Sequence, residues 1–393
     1  MKKVKTFYNL FTLMLLIFPF FLFPLWAGPE VKNPDRPLKG EWDFKPEHVW
    51  TIGIAGDELL ALPRALLVSD DGTVYVYDPK NRKNYIFNKD GQFLKSFARQ
   101  GEGPGEVRGQ GPFFLVDDKI IIPEWGRVHY FTKNGDYIKS KAFTGVQRIP
   151  VFFLDENELV LVSAVPQDEP DGIGEITVHN LQSGKMTVIK KFPLFMGGTA
   201  GSGKNELHVL FNALSPIMTV GYDPVQKKIY YGNSDSYLIY VTDLKSNQLH
   251  SFSFSVQRKK RKVPAAVKKE RFKRLYQNFP QDVIDQLYKS VPDEATFFNR
   301  IDIVNRLVYV FVPDVVLTTP QQEVDIFSLD GKYLYRGVIR VGSDLNIVFS
   351  EFKNLIIKNN HLYVVVEDKE GARRAAKYKV VLPLDDGEYK CKF

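Results

Sequence analysis

The stretch "LLVSDDGTVYVYDPKNRKNYIFNKDGQFLKSF", residues 66–97, decides the fold. It reads as a strand, a turn at Asp71-Gly72, an alternating strand Val74–Tyr77, a polar link, a strand Asn84–Phe87, a turn at Asp90-Gly91 and a strand Phe93–Phe97. The Asp-Gly pairs supply the positive φ that tight hairpins need, and apolar–polar alternation marks strands with one buried face. The product is a four-stranded antiparallel meander.

The same order of turn chemistry recurs downstream. It returns as "FFLVDDKIIIPEWGRVHYFTKNGDYIKSKAF" with a hairpin at Asn134-Gly135, then in three further cycles with hairpins at Ser183-Gly184, Ser246-Asn247 and Asp330-Gly331. A sixth cycle, "LIIKNNHLYVVVEDKEGARRAAKYKVV", stops after three strands. The missing strand is available upstream as "HVWTIGI", residues 48–54. A terminal strand that completes the last blade closes the ring and leaves no open seam. The expectation is an all-β chain: a six-bladed β-propeller of four-stranded antiparallel blades, the last closed by the N-terminal strand. Insertions fall between cycles three and four and between cycles four and five.

Composition agrees with a foldable β-rich chain: 44% hydrophobic and 25% charged residues, with 19 Tyr and 30 Phe against 5 Met. The single cysteine, Cys391, excludes an internal disulfide framework and any zinc site built from cysteines. Lys2, Lys3 and Lys5 precede an apolar run from Phe7 to Leu25, and Ala27-Gly28 offers small residues for cleavage. This is the pattern of an export signal, with an uncleaved anchor as the alternative. The division expected is a signal peptide 1–27, an N-terminal extension 28–46, a propeller 47–384 that includes a helical insertion 263–294, and a tail 385–393. The location expected is periplasm, cell envelope or extracellular space.

The first blade carries a family resemblance. Asp71, Gly72, Tyr75, Val76, Asp78 and Asn81, followed by Gly101, Gly103, Pro104, Gly105 and Glu106, resemble an NHL-type repeat and its G-x-G-P-G-E connector. Such repeats build secreted six-bladed propellers of TolB-like fold. Lys83 departs from the pattern, which usually has Arg there. The resemblance implies a fold; propellers host many unrelated tasks.

"GTAGSGKN", residues 198–205, matches a P-loop at Gly198, Gly203 and Lys204, but Asn205 stands where a Ser or Thr should hold Mg²⁺. It lies between two antiparallel blades, not between a parallel strand and a helix, so the reading is a glycine-rich connection. Residues 258–274 hold ten basic residues and one acid, Glu270, while the remaining mature chain is net acidic. Arg258, Lys259, Lys260, Arg261 and Lys262 head this run as a basic patch; the reading preferred is a solvated helical pair packed on the propeller by Val267, Phe272, Leu275 and Phe279, and the alternative is a docking surface for a polyanion. Pro264 and Pro280 suit first-turn helix positions.

Catalytic signatures are sparse. The six histidines form no H-x-H or H-x-x-x-H pair, no G-x-S-x-G motif occurs, and Asp168–Glu175 lacks the ligand alternation of an EF-hand loop. Neither a metal nor a cofactor is expected. Side chains at or just before first strands, or at strand ends, are the candidates for a polar ligand in the channel: Arg64, Glu124, Trp125 and Arg148. The function expected is that of an exported binding or interaction module without catalysis, monomeric, its partner an unknown protein or small polar ligand. Weak contact with an anionic envelope surface is allowed; nucleic acid is not expected. The alternative is a metal-dependent lactonase or lyase in the central channel.

Overall fold

The computed structural model describes residues 28–108, 113–124, 126–142, 150–165, 173–193, 198–200, 207–209, 214–245, 251–276, 278–314, 318–348 and 353–384. The expected signal, the C-terminal tail, Trp125, Arg148 and most of the acidic 168–175 loop lie outside them.

Four hairpin-linked strands recur six times. Blade 1 runs from Ala65–Val68 to Phe93–Phe97, blade 2 from Phe114–Val116 to Tyr137–Ala142, and blade 3 from Pro150–Phe153 to Met186–Pro193. Blade 4 runs from Met218–Asp223 to Phe252–Gln257, and blade 5 from Arg300–Val304 to Tyr333–Arg340. Blade 6 contributes Leu355–Lys358, His361–Glu367 and Arg373–Lys379, and its outer strand is Glu47–Ile52. That strand pairs antiparallel with Arg373–Lys379, setting Ile52 opposite Ala375. The chain is therefore a closed six-bladed propeller. First strands of neighbouring blades touch between blades 2 and 3, blades 4 and 5, and blades 6 and 1.

The expected turn at Ser246-Asn247 lies outside the described residues, and the Asp-Gly and Asn-Gly turns share one feature that the dipeptides alone did not reveal. Only the glycine of each pair has positive φ; Asp71, Asp90, Asn134 and Asp330 do not. Thr132 N donates to Asp136 O at 2.8 Å and Gly135 N to Thr132 O at 2.8 Å. This is a three-residue loop ending in a left-handed glycine, not a two-residue turn. Gly135 has φ +79°, and a Cβ there would lie 2.9 Å from Ile86 Cδ1 and from Phe97 Cβ. Gly331, φ +85°, is pressed in the same way onto Phe254 of blade 4. The turn of one blade thus packs into the outer strand of the blade before it. Gly135→Val is expected to cost about 2–4 kcal/mol, because it adds backbone strain and a clash in one change. Urea unfolding monitored by circular dichroism measures it; the exposed turn at Gly184, where a Cβ meets nothing within 4 Å, is the control.

The blade 1 motif is a scaffold of local bonds. Asp71 accepts from Ser69 Oγ at 2.5 Å and Thr73 N at 2.9 Å, bonds that hold its carboxyl at about 2. Asp78, fully buried, accepts from Leu62 N, Lys80 N and Asn81 N, while Asn81 Nδ2 donates to Leu59 O. In the connector, Glu106 accepts from Gly103 N at 2.9 Å and Arg99 Nε at 2.7 Å. Lys83, the departure from the repeat pattern, pairs with Glu58 at 2.9 Å.

The N-terminal extension does more than lead into the ring. Glu30–Pro34 adds in parallel to the outer strand of blade 4, and Glu41–Asp43 adds in parallel to that of blade 5. Asn33, buried, donates to Gly331 O at 2.9 Å and to Ser255 O at 3.0 Å, and accepts from Tyr333 N at 2.9 Å. Residues 30–52 thereby strap blades 4, 5 and 6 in succession.

Both insertions sit together. Gly198–Ala200 pairs antiparallel with Leu207–Val209, so the glycine-rich stretch opens a hairpin rather than a strand-to-helix turn. Its tip, with Gly203, Lys204 and Asn205, lies outside the described residues. Helices α1 (Ala265–Leu275) and α2 (Gln281–Ser290) follow Pro264 and Pro280, which stand at the N-caps, one residue ahead of the first turn. Strand Gly198–Ala200 lies against α2. Phe272 and Leu287 are buried with Leu214, Val291 and Ala295, whereas Phe279 is exposed.

Candidate functional site

The basic run is not a uniform solvated face. Arg258 leaves the outer strand of blade 4 and turns inward, with its side chain only 12% exposed, to meet Asp325, which is 0% exposed. Asp325 stands mid-strand in blade 5 between buried Val324 and Ile326. An unpaired carboxylate there would be costly, and it is fully paired. Arg258 Nη1 donates to Oδ2 at 2.7 Å, Arg258 Nη2 to Oδ1 at 3.3 Å, and Arg336 Nε to Oδ1 at 3.3 Å. Tyr237 donates its hydroxyl to Oδ2 at 2.6 Å, and Tyr333 donates to Oδ1. Burial first, then Asp325, pushes both tyrosine hydroxyls above their ordinary range, so they remain donors. Arg258 also lies over the Tyr237 ring, 5.2 Å from its centre.

On the solvent side the strap supplies a second carboxylate. Asp35 Oδ1 accepts from Arg258 Nε at 2.6 Å and from Arg336 Nη2 at 2.9 Å. Burial opposes ionisation of Asp35, but the two arginines outweigh it and lower its pKa. Above these groups lies a cleft of about 560 Å³, bounded by Arg258, Lys259, Lys260 and Arg261 on one side and by Glu323 and Arg336 of blade 5 on the other. Phe297 and Val312 supply apolar wall. Lys260 pairs with Asp235 outside the cleft lining, and Arg261 donates to Pro313 O at 2.8 Å while reaching Glu323 only at 3.7 Å. Further along the run, Lys268 is buried in α1 and donates to Val291 O and Asp293. Arg258 and Lys268 are thus structural cations, a correction to reading all ten as one surface.

Of the channel candidates, Arg64 is half-buried just ahead of the first strand of blade 1. Glu124 is held at the edge of blade 2, its side chain 5% exposed. It accepts from Arg108 N at 2.7 Å and lies 2.7 Å from His129 Nε2, while His129 Nδ1 faces Ser140 Oγ at 3.0 Å. Ser140 is bonded in turn to Tyr137 OH, beneath the Gly105 connector. This chain fastens the blade 1 to blade 2 connector. The polar group found near the axis is a different one: Arg300 and Lys353 flank Asp302, with Lys353 Nζ 3.3 Å from Oδ1. Burial raises the Asp302 pKa, but the two cations overcome it and bring it to about 2. Among the described residues no three His, Cys, Asp or Glu converge as metal ligands, and no helix is long and apolar enough to cross a membrane.

Sequence reasoning missed Asp325 and Asp35. A carboxylate inside the apolar run "VDIFS" was the available signal for the first.

No curated protein matches the chain by sequence. Among solved structures, a presumed exported protein of Bacteroides fragilis is 13% identical, with TM-score 0.48, covering 90% of this chain and 100% of its own. A member of the DUF4221 family from Bacteroides vulgatus is 12% identical, TM-score 0.47, covering 86% of this chain and 100% of its own. The calcium-binding regucalcin of Agrobacterium tumefaciens is 10% identical, TM-score 0.38, covering 88% and 98%. By sequence, residues 57–162, ending in the second strand of blade 3, match the model of a family described as a 6-bladed β-propeller, to which this part of the chain is similar.

Proposed function

We propose that this six-bladed propeller is an exported binding module and that its ligand is anionic, held in the cleft between blades 4 and 5. The observation that carries the reading is the cleft's lining: Arg258, Lys259, Lys260, Arg261 and Arg336 against Asp35 and Glu323. A recess walled by Phe297 and Val312 raises the effect of that positive excess over what a flat surface would give. Lys259 and Arg261 are both exposed, and Arg261, which donates to Pro313 O, keeps further guanidinium N–H groups for a ligand. Export rests on the basic and apolar character of residues 1–27. The alternative of a metal-dependent lactonase or lyase needs converging ligands near the axis, whereas Asp302 there is paired with Arg300 and Lys353.

Titration of the mature protein with an acidic oligosaccharide and its neutral counterpart tests the reading. Wild type is expected to bind the acidic form only, with an affinity that falls steeply with salt. The double substitution Lys259→Ala, Arg261→Ala is expected to weaken binding about tenfold or more without lowering the melting temperature, since both side chains are exposed. Equal binding of the neutral sugar, or no effect of the double substitution, refutes it.

A further inference from the structure

We infer that the solvent side of the Arg258–Arg336 pair is a carboxylate-recognition site whose place is taken, within this chain, by Asp35. The inference rests on the reading of the cleft as an anion site and names the group recognised there.

Two carboxylates hold the guanidinium groups from opposite sides, and they differ in kind. Asp325 is 0% exposed and both of its oxygens are saturated by arginine and tyrosine donors, so it belongs to the core. Asp35 is 51% exposed, and both of its arginine hydrogen bonds fall on Oδ1. Guanidinium groups fixed from beneath present a preset array of donors to the cleft, and planar carboxylates are the groups that such forks match best.

The backbone that carries Asp35 is anchored without its side chain. Asn33 makes its bonds to Gly331, Ser255 and Tyr333, and Leu38 N donates to Tyr333 O at 2.9 Å. Rotation of the Asp35 side chain therefore frees Arg258 Nε and one N–H of Arg336 Nη2, whose bond to the Asp35 carbonyl at 3.2 Å keeps the strap and the guanidinium in place. A carboxylate entering from the cleft takes those donors, with Lys259 and Arg261 close by and Phe297 as an apolar wall. The ligand class is a small molecule bearing a carboxylate, and Asp35 is its competitor.

Chemical rescue tests this directly. Asp35→Ala vacates Arg258 Nε and one N–H of Arg336 Nη2 and is expected to melt below wild type. Acetate at about 100 mM, against chloride at equal ionic strength, is expected to raise the melting temperature of Asp35→Ala by about 2 °C or more and that of wild type by much less. Adding Arg336→Met is expected to abolish the response. Should Asp35→Ala fold poorly, Asp35→Ser carries the same test. Identical acetate responses in wild type and variant, or a response that survives Arg336→Met, overturn the inference. Rescue by sulfate as strong as by acetate overturns the carboxylate class. Acetate rescue combined with no binding of the acidic oligosaccharide would sustain this site and remove only the oligosaccharide reading; the reverse result would remove this site alone.

Discussion

Removal of residues 28–52 is expected to abolish the cooperatively folded ring. The segment supplies the outer strand of blade 6 and the added strands of blades 4 and 5. It also buries Phe44, 1% exposed, against blade 5 and Ile52, 5% exposed, between blades 6 and 1. Each such side chain is worth about 1.5–3 kcal/mol, and the deletion also exposes the edges of three blades. The total reaches about 5 kcal/mol or more, comparable with the whole net stability of a native protein. Removal of residues 28–46 alone keeps the closing strand and is expected to give a folded, less stable ring. Thermal unfolding by circular dichroism, with size-exclusion chromatography for compactness, separates the two. A shorter deletion as damaging as the longer one would show that the strap, not the closing strand, governs integrity.

Asp325→Ala is expected to be the most damaging single substitution of a charged residue, costing about 3–5 kcal/mol. The loss is large because it leaves Arg258, mostly buried, without its main counter-charge and deprives two tyrosine hydroxyls of their acceptor. Asp35→Ala acts on the same arginines, yet is expected to cost only about 1 kcal/mol, since Asp35 is half-exposed and solvent replaces it. Denaturant midpoints of the two variants check the contrast. Equal losses would mean that the arginines depend on both carboxylates alike, and that Asp325 is less sealed from water than its burial indicates.

Much of the fold was legible because hairpins are local. Asp-Gly and Asn-Gly pairs marked turns at the right places, and a sixth cycle one strand short pointed to "HVWTIGI" as its completion. The strap was not legible: "EVKNP" and "EWD" are too short to show a period, and they pair in parallel with edges that lie hundreds of residues away. The cleft was half legible. Arg258–Arg261 stood out as charge, but nothing local distinguishes Arg258, which turns inward, from Lys259, which does not. That distinction is made by Asp325, Tyr237 and Tyr333, which arrive from other blades. Glu124 was visible as a charged strand end, while its bond to His129 depends on the register of Ile122 opposite His129.

The strap also dictates an order of events. Asn33 is 222 residues from Ser255, Asp35 is 301 from Arg336 and Trp42 is 339 from Val381, each pair joined by a hydrogen bond. Residues 30–52 therefore wait to be placed in turn, Glu30–Pro34 for blade 4, Glu41–Asp43 for blade 5 and Glu47–Ile52 for blade 6. Blades 1 to 3 can zip up from neighbouring hairpins as they emerge, whereas the ring latches only after residues near 380 are available, when loop-closure entropy across nearly the whole chain is overcome in one late step. A chain arrested before blade 6 can seat Glu30–Pro34 and Glu41–Asp43 on blades 4 and 5, but strand Glu47–Ile52 then has no partner and the ring stays open.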